Sequence, residues 1–515
     1  MSNPRTTINI LGSQVPKNPD DRSILVIGQK LGGTATSGAL VENIISKEQA
    51  LGLFGASSMV YKGIAAIIDK CASSLNQPKI AAISLTDQGA SVAASATLTF
   101  TGTATKAGKI TLYIDSMQRK YELDIAVGAL ANDIATSIAA KINADNFRVV
   151  SAVATTNVVT IEARNTGTQG NSIGTKFDLG LSEGITLVTT AMANGATDPV
   201  LTGLFDPIAD KRFTSIVYPG NYDIPTLSNE ITSRFNVDDK IIDGVGIVGL
   251  TDTYANLVAD TSLQTVKGIA KRSNKLVNRD THKGGAVFES PFVLAARAAA
   301  VREIRLTVGS NTSSLSTSGQ AVGGSFFGAI PYADTPEQGL RVIESGDDFT
   351  SLEANQLKEA GHWLLSNNSN DTALIYDEAI TTYKTDSLGL PDVTFKYLNY
   401  IDSYTIARDY IFKNIKSDFS QRILTTGQLV AGRPMTNAKQ FIGVNMGYYA
   451  TLSGFSGDNS YVLLNSSPEA KDRFRQELEQ SIVVNLPQGK ITADVLALIN
   501  TQVREILISI IPTFE

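Results

Sequence analysis

Apolar and polar positions follow two different rhythms along this chain, and the change between them is abrupt. After residue 210, apolar runs occur in "FTSIVYPG" (213–220), "GVGIVGL" (244–250) and "NKLVNR" (274–279), with centres beginning near 214, 244 and 274. The gaps carry helical spacing, as in "IPTLSNEITSRF" and "TYANLVADTSL". Strands recurring at this interval with helices between them predict βαβ units and a mainly parallel sheet. "SPFVLAARAAAVREIRL" (290–306) predicts a helix with a Ser N-cap, Pro291 in its first turn and an Ala-rich body. "LEANQLKEAGHWLL" (352–365) puts Leu357, Ala360, Gly361 and Leu364 on one helical face and leads into the strand "DTALIYDEAITTY".

Nearer the start, "SILVIG" (23–28) and "KIAAISL" (79–85) read as buried strands around helical sequence, and they fit the same sheet. Between them and residue 196 the rhythm shortens. "SVAASATLTFTGTATKAGKITLYIDSMQRKYELDIAVG" alternates small or branched apolar residues with polar ones, followed by one helix and "NVVTIEARNTGTQGNSIG". Thr- and Gly-rich strands with short turns predict a separate β-dominated domain. Insertion of such a domain at a surface loop costs little when its ends lie close together. In the last third, Ala407, Ile411, Ile415 and Phe419 recur along 403–419, and Ala470, Phe474 and Leu478 form a stripe along 467–480 behind Ser467 and Pro468. The expected fold is an α/β central domain with an inserted β-rich domain, an α+β C-terminal domain and extended terminal arms. The boundaries read as 1–22 for the N-terminal arm, 23–89 and 196–395 for the α/β body, and 90–195 for the insert. The α+β domain then spans 396–504 and the C-terminal arm 505–515.

The two ends break the pattern. "TTINILG" (6–12) is strand-like but cut off from the first core strand by "SQVPKNPDDR", and "EILISIIPTF" (505–514) is β-prone and apolar. Chain ends are normally frayed and polar, and an apolar strand on a tether exposes unpaired backbone. One reading folds both ends back onto their own subunit. The other donates them to a neighbour's sheet, where main-chain hydrogen bonds give affinity and alternate side chains give register. The residues that would exchange are Thr7, Ile8, Asn9, Ile10 and Leu11 at one end and Ile506, Leu507, Ile508, Ile510 and Ile511 at the other.

At 515 residues, two to four domains are expected. With 50 acidic against 44 basic residues, a net charge of −6 and no Lys/Arg run, direct nucleic-acid binding lacks its electrostatic footprint. No apolar stretch is long enough to span a membrane, so membrane insertion is not expected. The first residues hold no apolar signal core, which argues against export by that route. Cys71 is the single cysteine and permits neither an internal disulfide nor a cysteine-based metal site.

Catalytic, cofactor and metal constellations do not form. In "ILVIGQKLGG", Gly28, Gly32 and Gly33 match neither a dinucleotide fingerprint nor a P-loop, so a tight turn is expected there. His282 lies in a polar loop, and His362 sits off its predicted apolar stripe as a surface or rim residue. His282 with Asp280 and Ser325 is a conceivable triad, but no nucleophile elbow accompanies it. Asp347 and Asp348 lack calcium-loop spacing, and nothing selects a carboxylate pair for glycoside chemistry.

The segment "LEANQLKEAGHWLL…DTALIYDEAITTYKT…DVTFKYLNYIDSYTIARDYIFKNI" resembles the contractile tail sheath proteins of Mu-like myophages. The N-terminal "RSILVIGQKLGGTATSGALVENIISKEQALGLFGASSMVYKGIAAI" is similar to that family's opening, and "LTFTGTATKAGKITLYI" to its inserted β domain. The matches run in order over most of the chain, and the last hundred residues depart most. The resemblance implies a non-enzymatic structural subunit without cofactors. Subunits of this family stack as hexameric rings in a helix around a tail tube, joined by strands shared between terminal arms. Contraction, triggered at the baseplate, drives the tube through the host envelope. The implied partners are other copies of the chain, the tail tube protein, and the baseplate and tail terminator proteins. The implied location is the virion tail, assembled in the host cytoplasm.

Energy in such a machine resides in the extended lattice, and even ~1 kcal/mol per subunit multiplies over a long tail. The body is expected to supply new contacts on contraction, the insert to lie outside, and the C-terminal domain to face the tube. Arg473, Arg475 and Glu477 are the candidate tube contacts, an ordinary solvated helix face being the alternative. Three rivals stay open: the sheath of a bacteriocin-type or cellular injection system, an α/β hydrolase with an accessory β domain, and a monomeric surface-binding protein with self-folded ends.

Overall fold

Apolar runs too continuous to alternate sides need a sheet covered on both faces, and the chain supplies one. The computed structural model describes residues 5–9, 22–72, 78–180, 182–235, 241–260, 269–277, 285–310, 313–315, 321–323, 332–333, 335–337, 340, 342–344, 349–367, 374–453, 464–488 and 490–496. They fall into two compact units: Asp20–Thr307 with Ala333–Leu398, and Met1–Pro19 with Val308–Tyr332 and Asn399–Glu515. The protein is a mixed α/β chain with several sheets.

The first unit is organised by an 11-stranded sheet. Its centre is parallel and runs in the order His362–Asn367, Ile269–Val277, Val245–Leu250, Ser215–Pro219, Ser23–Gln29, Lys79–Leu85. The expected strands after residue 210 and the two near the start thus share one sheet. Antiparallel strands, Leu374–Tyr376 with Pro336–Glu337 on one side and Leu40–Val41 on the other, flank this centre. Ser23–Gln29 is buried at every position, the signature of a parallel strand covered on both faces. Helix Pro291–Ser310 is buried nearly all round over 291–306, with Ala295, Ala296, Ala298, Ala299 and Ala300 each fully inaccessible. Small side chains allow that close approach: a Cβ at Gly249 would lie 2.1 Å from the Pro291 carbonyl oxygen. A Cβ at Gly63, on helix Met59–Cys71, would lie 2.8 Å from the Phe292 ring.

Within the same unit, residues 94–192 build their own core. A four-stranded sheet (Glu183–Thr189, Ser95–Lys106, Val158–Ala163, Val150–Thr155) and a three-stranded one (Thr175–Asp178, Gly108–Ile114, Ser116–Ile125) pack with helix Ala131–Ala144. Leu98, Ile110, Ile114, Ala135, Ile138, Ile142, Val150, Val159 and Ile161 are fully buried among them. Hydrogen bonds at Asp87 tie this part to the sheet: its carboxylate accepts from Gln29 Nε2 at 2.7 Å, Asn165 Nδ2 at 3.1 Å and the Thr166 amide at 2.9 Å.

One predicted helix is shorter than its pattern. It spans Ser351–Glu359 behind a capping box of Thr350 and Glu353, and residues from His362 onward form a strand. Gly361 takes a positive φ of +87°, which releases the chain from the helix. His362, Trp363, Leu364 and Leu365 are then all fully buried, so both faces of the segment are covered and no helical stripe exists. Among its described residues, the strand expected from "DTALIYDEAITTY" is regular over Leu374–Tyr376.

In the second unit, helix Leu398–Phe419 buries Ala407, Ile411, Ile415 and Phe419 as their spacing predicts. Helix Ala438–Leu452, capped by Asn437, has no counterpart among the expected elements. Helix Pro468–Ser481 starts at Ser467, whose side chain accepts from the Ala470 amide at 3.2 Å, and it buries Ala470, Phe474 and Leu478.

Candidate functional site

The N-terminal segment finds a strand partner at the opposite end of the chain. Arg5–Asn9 pairs antiparallel with Lys490–Leu496, from Arg5 opposite Leu496 to Asn9 opposite Thr492. Lys490–Leu496 pairs on its other side with Val483–Asn485, completing a three-stranded sheet. Alternation explains the middle strand. Ile491, Ala493 and Val495 are buried, and Thr492 and Asp494 are half-buried on the other side. The helix end anchors it: the Asp494 amide donates to Ser481 Oγ at 2.8 Å and Ser481 Oγ donates back to the Asp494 carbonyl at 3.3 Å. Beneath, Phe474 packs on Tyr449 at a ring separation of 4.6 Å.

Thr7, Ile8 and Asn9 therefore sit opposite Asp494, Ala493 and Thr492 of their own chain. Ile10 and Leu11 lie outside the described residues, as do Ile506, Leu507, Ile508, Ile510 and Ile511. Arg473 and Arg475 are exposed on helix Pro468–Ser481 and Glu477 is half-buried there; Arg475 pairs with Asp472 at 3.3 Å. Sequence reading missed Lys490–Leu496 as the recipient strand. The signal was present in "KITADVL", where Ile491, Ala493 and Val495 alternate with polar residues.

The candidate catalytic positions resolve differently. His362 is completely buried on its strand, not at a rim, and its Nε2 lies 3.2 Å from the Leu257 carbonyl oxygen. The helix whose polar face was to carry it ends at Glu359, which is why the expected exposure fails. His282, Asp280, Ser325, Asp347 and Asp348 lie outside the described residues. The glycine run after Ser23–Gln29 is a packed turn. The Leu31 amide donates to the Phe54 carbonyl at 2.9 Å, and a Cβ at Gly33 would lie 2.3 Å from the Leu53 backbone. Among the described residues, no group of three or more His, Cys, Asp or Glu is placed to hold a metal ion, and no helix is long and apolar enough to cross a membrane. Cys71 is buried, and desolvation pushes its thiol up to about 12.

"ITTY" serves packing. Thr381 Oγ1 donates to the Phe395 carbonyl at 2.6 Å, and Tyr383 donates its hydroxyl to Asp392 at 2.7 Å. The Tyr383 and Phe395 rings meet edge-on at 5.4 Å, and Phe395 meets Phe235 at 5.2 Å. Burial first, then the hydrogen bond to Asp392, holds the Tyr383 phenol well above its ordinary value.

No family model matches the chain. It is 25% identical over 241 residues to the Mu-like prophage tail sheath protein of Haemophilus influenzae, a match covering 45% of this chain and 48% of that protein. The chain thus spans about half the length of the curated relative it matches. A solved sheath tail protein of Listeria innocua aligns over 87% of this chain and 86% of its own, at 13% identity and a TM-score of 0.39. Over those 241 residues the chain is similar to a Mu-like tail sheath protein, the family that the residues quoted from its sequence resemble.

Proposed function

We propose that the chain is the structural subunit of a contractile phage tail sheath, polymerising helically around a tail tube and contracting to drive the tube through a host envelope. The observation that carries this reading is the 241-residue match to a Mu-like tail sheath protein. Residues 90–195 serve as the inserted β-rich domain, 396–504 as the tube-side domain, and the two ends as arms. The partners are further copies in hexameric rings, a tube protein, and baseplate and terminator proteins, in a virion tail assembled in the host cytoplasm. No step of this work needs catalysis or a cofactor.

Arg5–Asn9 pairs with Lys490–Leu496 of its own chain, the self-folded arrangement of the N-terminal end, and strand exchange would replace it by the same pairing made between copies. A strand made within one chain and the same strand made between two copies use the same ladder of hydrogen bonds, so trading costs little enthalpy. Expressing the full chain and imaging it by electron microscopy tests the function. Hollow cylinders, alone or on added tube protein, are expected. A chain that stays monomeric at assembly concentrations, with and without tube protein, rules it out.

A further inference from the structure

Where the chain leaves the part built from residues 94–192, it is sewn to the residues by which it entered. The Ser95 amide donates to the Ala193 carbonyl at 2.9 Å, and the Ala193 amide donates back to the Ser95 carbonyl at 3.0 Å. Val92 and Ala196 make the matching pair, at 2.9 and 3.1 Å. Between the two pairs lies Asn194–Gly195, the single Asn–Gly step in the sequence. Asn194 is exposed and takes φ +67°, a left-handed conformation that Asn tolerates. Gly195 is buried, and a Cβ there would lie 2.3 Å from the Gly167 carbonyl oxygen, a close approach that requires glycine. Asn171 grips Gly195 at both ends: the Gly195 amide donates to Asn171 Oδ1 at 2.8 Å, and Asn171 Nδ2 donates to the Gly195 carbonyl at 3.1 Å.

We propose that Asn194 is a deamidation site and that Asn171 is the residue that restrains it. An Asn–Gly step cyclises readily because glycine puts no side chain beside its own nitrogen. The Gly195 nitrogen loses its proton and attacks Asn194 Cγ, a C–N bond forms, and the side-chain nitrogen leaves as ammonia carrying that proton. Water then opens the five-membered imide. Opening at the side-chain carbonyl gives aspartate, and opening at the backbone carbonyl gives isoaspartate, which adds a methylene to the main chain. In the folded chain, the Gly195 N–H is committed to Asn171 Oδ1, so the nitrogen keeps its proton. The flanking Ala193 and Ala196 pairs keep the backbone from swinging that nitrogen onto Cγ. Reaction therefore proceeds from conformers in which this loop has opened, and the hydrogen bond to Asn171 is part of the cost of opening.

The product does not fit the seam. Isoaspartate lengthens the path between Ala193 and Ala196, which pulls them out of register with Ser95 and Val92, and either product adds a negative charge. Asn171 thus sets how long this joint lasts, a property of the chain that holds whatever the chain assembles into.

The test incubates the folded full chain in mildly alkaline buffer. The peptide holding 194–195 is followed by mass spectrometry for amide-to-acid conversion and for isoaspartate. Folded wild type is expected to react at least about tenfold more slowly than the same chain unfolded in guanidinium. Asn171→Leu, which removes the acceptor, should react about tenfold faster than folded wild type, with protection of the Ser23–Gln29 amides unchanged. Asn171→Asp keeps an oxygen for the Gly195 N–H and should stay within about threefold of wild type, which a merely structural role for Asn171 would not predict. Folded wild type that reacts as fast as unfolded chain overturns the proposal. So does a folded Asn171→Leu chain at the wild-type rate, or an Asn171→Asp chain as fast as Asn171→Leu. If Asn171→Leu does not fold, the folded and unfolded wild-type rates decide alone.

Discussion

The strand Ser23–Gln29 and the strand Arg5–Asn9 lie close together in sequence, yet they are held in opposite ways. The first is buried at all seven positions between two parallel neighbours, Ser215–Pro219 and Lys79–Leu85. Every apolar side chain there contributes about 1.5–3 kcal/mol, and no partner outside the chain could replace that packing. The second, among the described residues, has one strand neighbour, at the edge of a three-stranded sheet, and that neighbour comes from the far end of the chain. Closing so long a connection costs entropy. A ladder of backbone hydrogen bonds is a contact that another copy can supply. The contrast separates a sheet buried among parallel neighbours from a small sheet whose edge strand comes from the far end of the chain, and the second is the one proposed to exchange.

Overpacking the large sheet should give the largest effect. Gly249→Val brings in a Cβ that would lie 2.1 Å from the Pro291 carbonyl oxygen, with two methyl groups beyond it, forcing strand Val245–Leu250 from helix Pro291–Ser310. A loss of about 3 kcal/mol or more is expected, seen as insoluble protein or a collapsed urea midpoint. A well-folded variant would mean that the helix is free to shift, and the contrast would weaken.

Next comes Ala493→Asp in the recipient strand. Ala493 is 3% exposed beside helix Pro468–Ser481, so a carboxylate there is buried without a partner. About 2–3 kcal/mol of local stability should be lost, read by proteolysis within 464–496, while exchange protection in Ser23–Gln29 is kept. Equal loss in both places would show that the two sheets unfold as one.

Deleting residues 1–9 sharpens the comparison further. The expected change in subunit stability is small, about 1 kcal/mol or less, since one edge strand of a three-stranded sheet is removed. Assembly should suffer far more, with short or absent cylinders by electron microscopy. Cylinders as long as those of the full chain would leave the sheath reading standing and remove strand exchange.

These contrasts also explain what the sequence made legible. Ser23–Gln29, Lys79–Leu85, Ser215–Pro219 and Val245–Leu250 were readable because strands buried on both faces form unbroken apolar runs between turn signals. Helices Leu398–Phe419 and Pro468–Ser481 were readable from one apolar stripe each. His362 was not, because "GHWLL" continues a helical stripe by accident, and only Gly361 in its left-handed conformation marks the true boundary. Lys490–Leu496 is harder to read because its apolar members include the small Ala493, which weakens the alternation. The Lys62–Asp115 ion pair and the Ser116–Glu289 hydrogen bond draw on three segments far apart in sequence, so no local spacing announces them.

The smallest expected effect concerns the exposed face of helix Pro468–Ser481. Arg473 and Arg475 point away from the Phe474 and Leu478 stripe, and the Arg475 pair with Asp472 is half-exposed on both sides. Such a pair contributes little to folding, so Arg473→Glu with Arg475→Glu should change subunit stability by about 0.5 kcal/mol or less. If these residues touch the tube, the same double change places negative charge at the contact and lowers assembly on added tube protein, more so at low salt. Cylinders formed without the tube are then the internal control, because they depend on the terminal sheet and not on this face. Normal assembly on the tube at every salt concentration returns the helix to the solvated reading. The proposed exchange at the terminal sheet is tested separately, since neither arginine takes part in a strand.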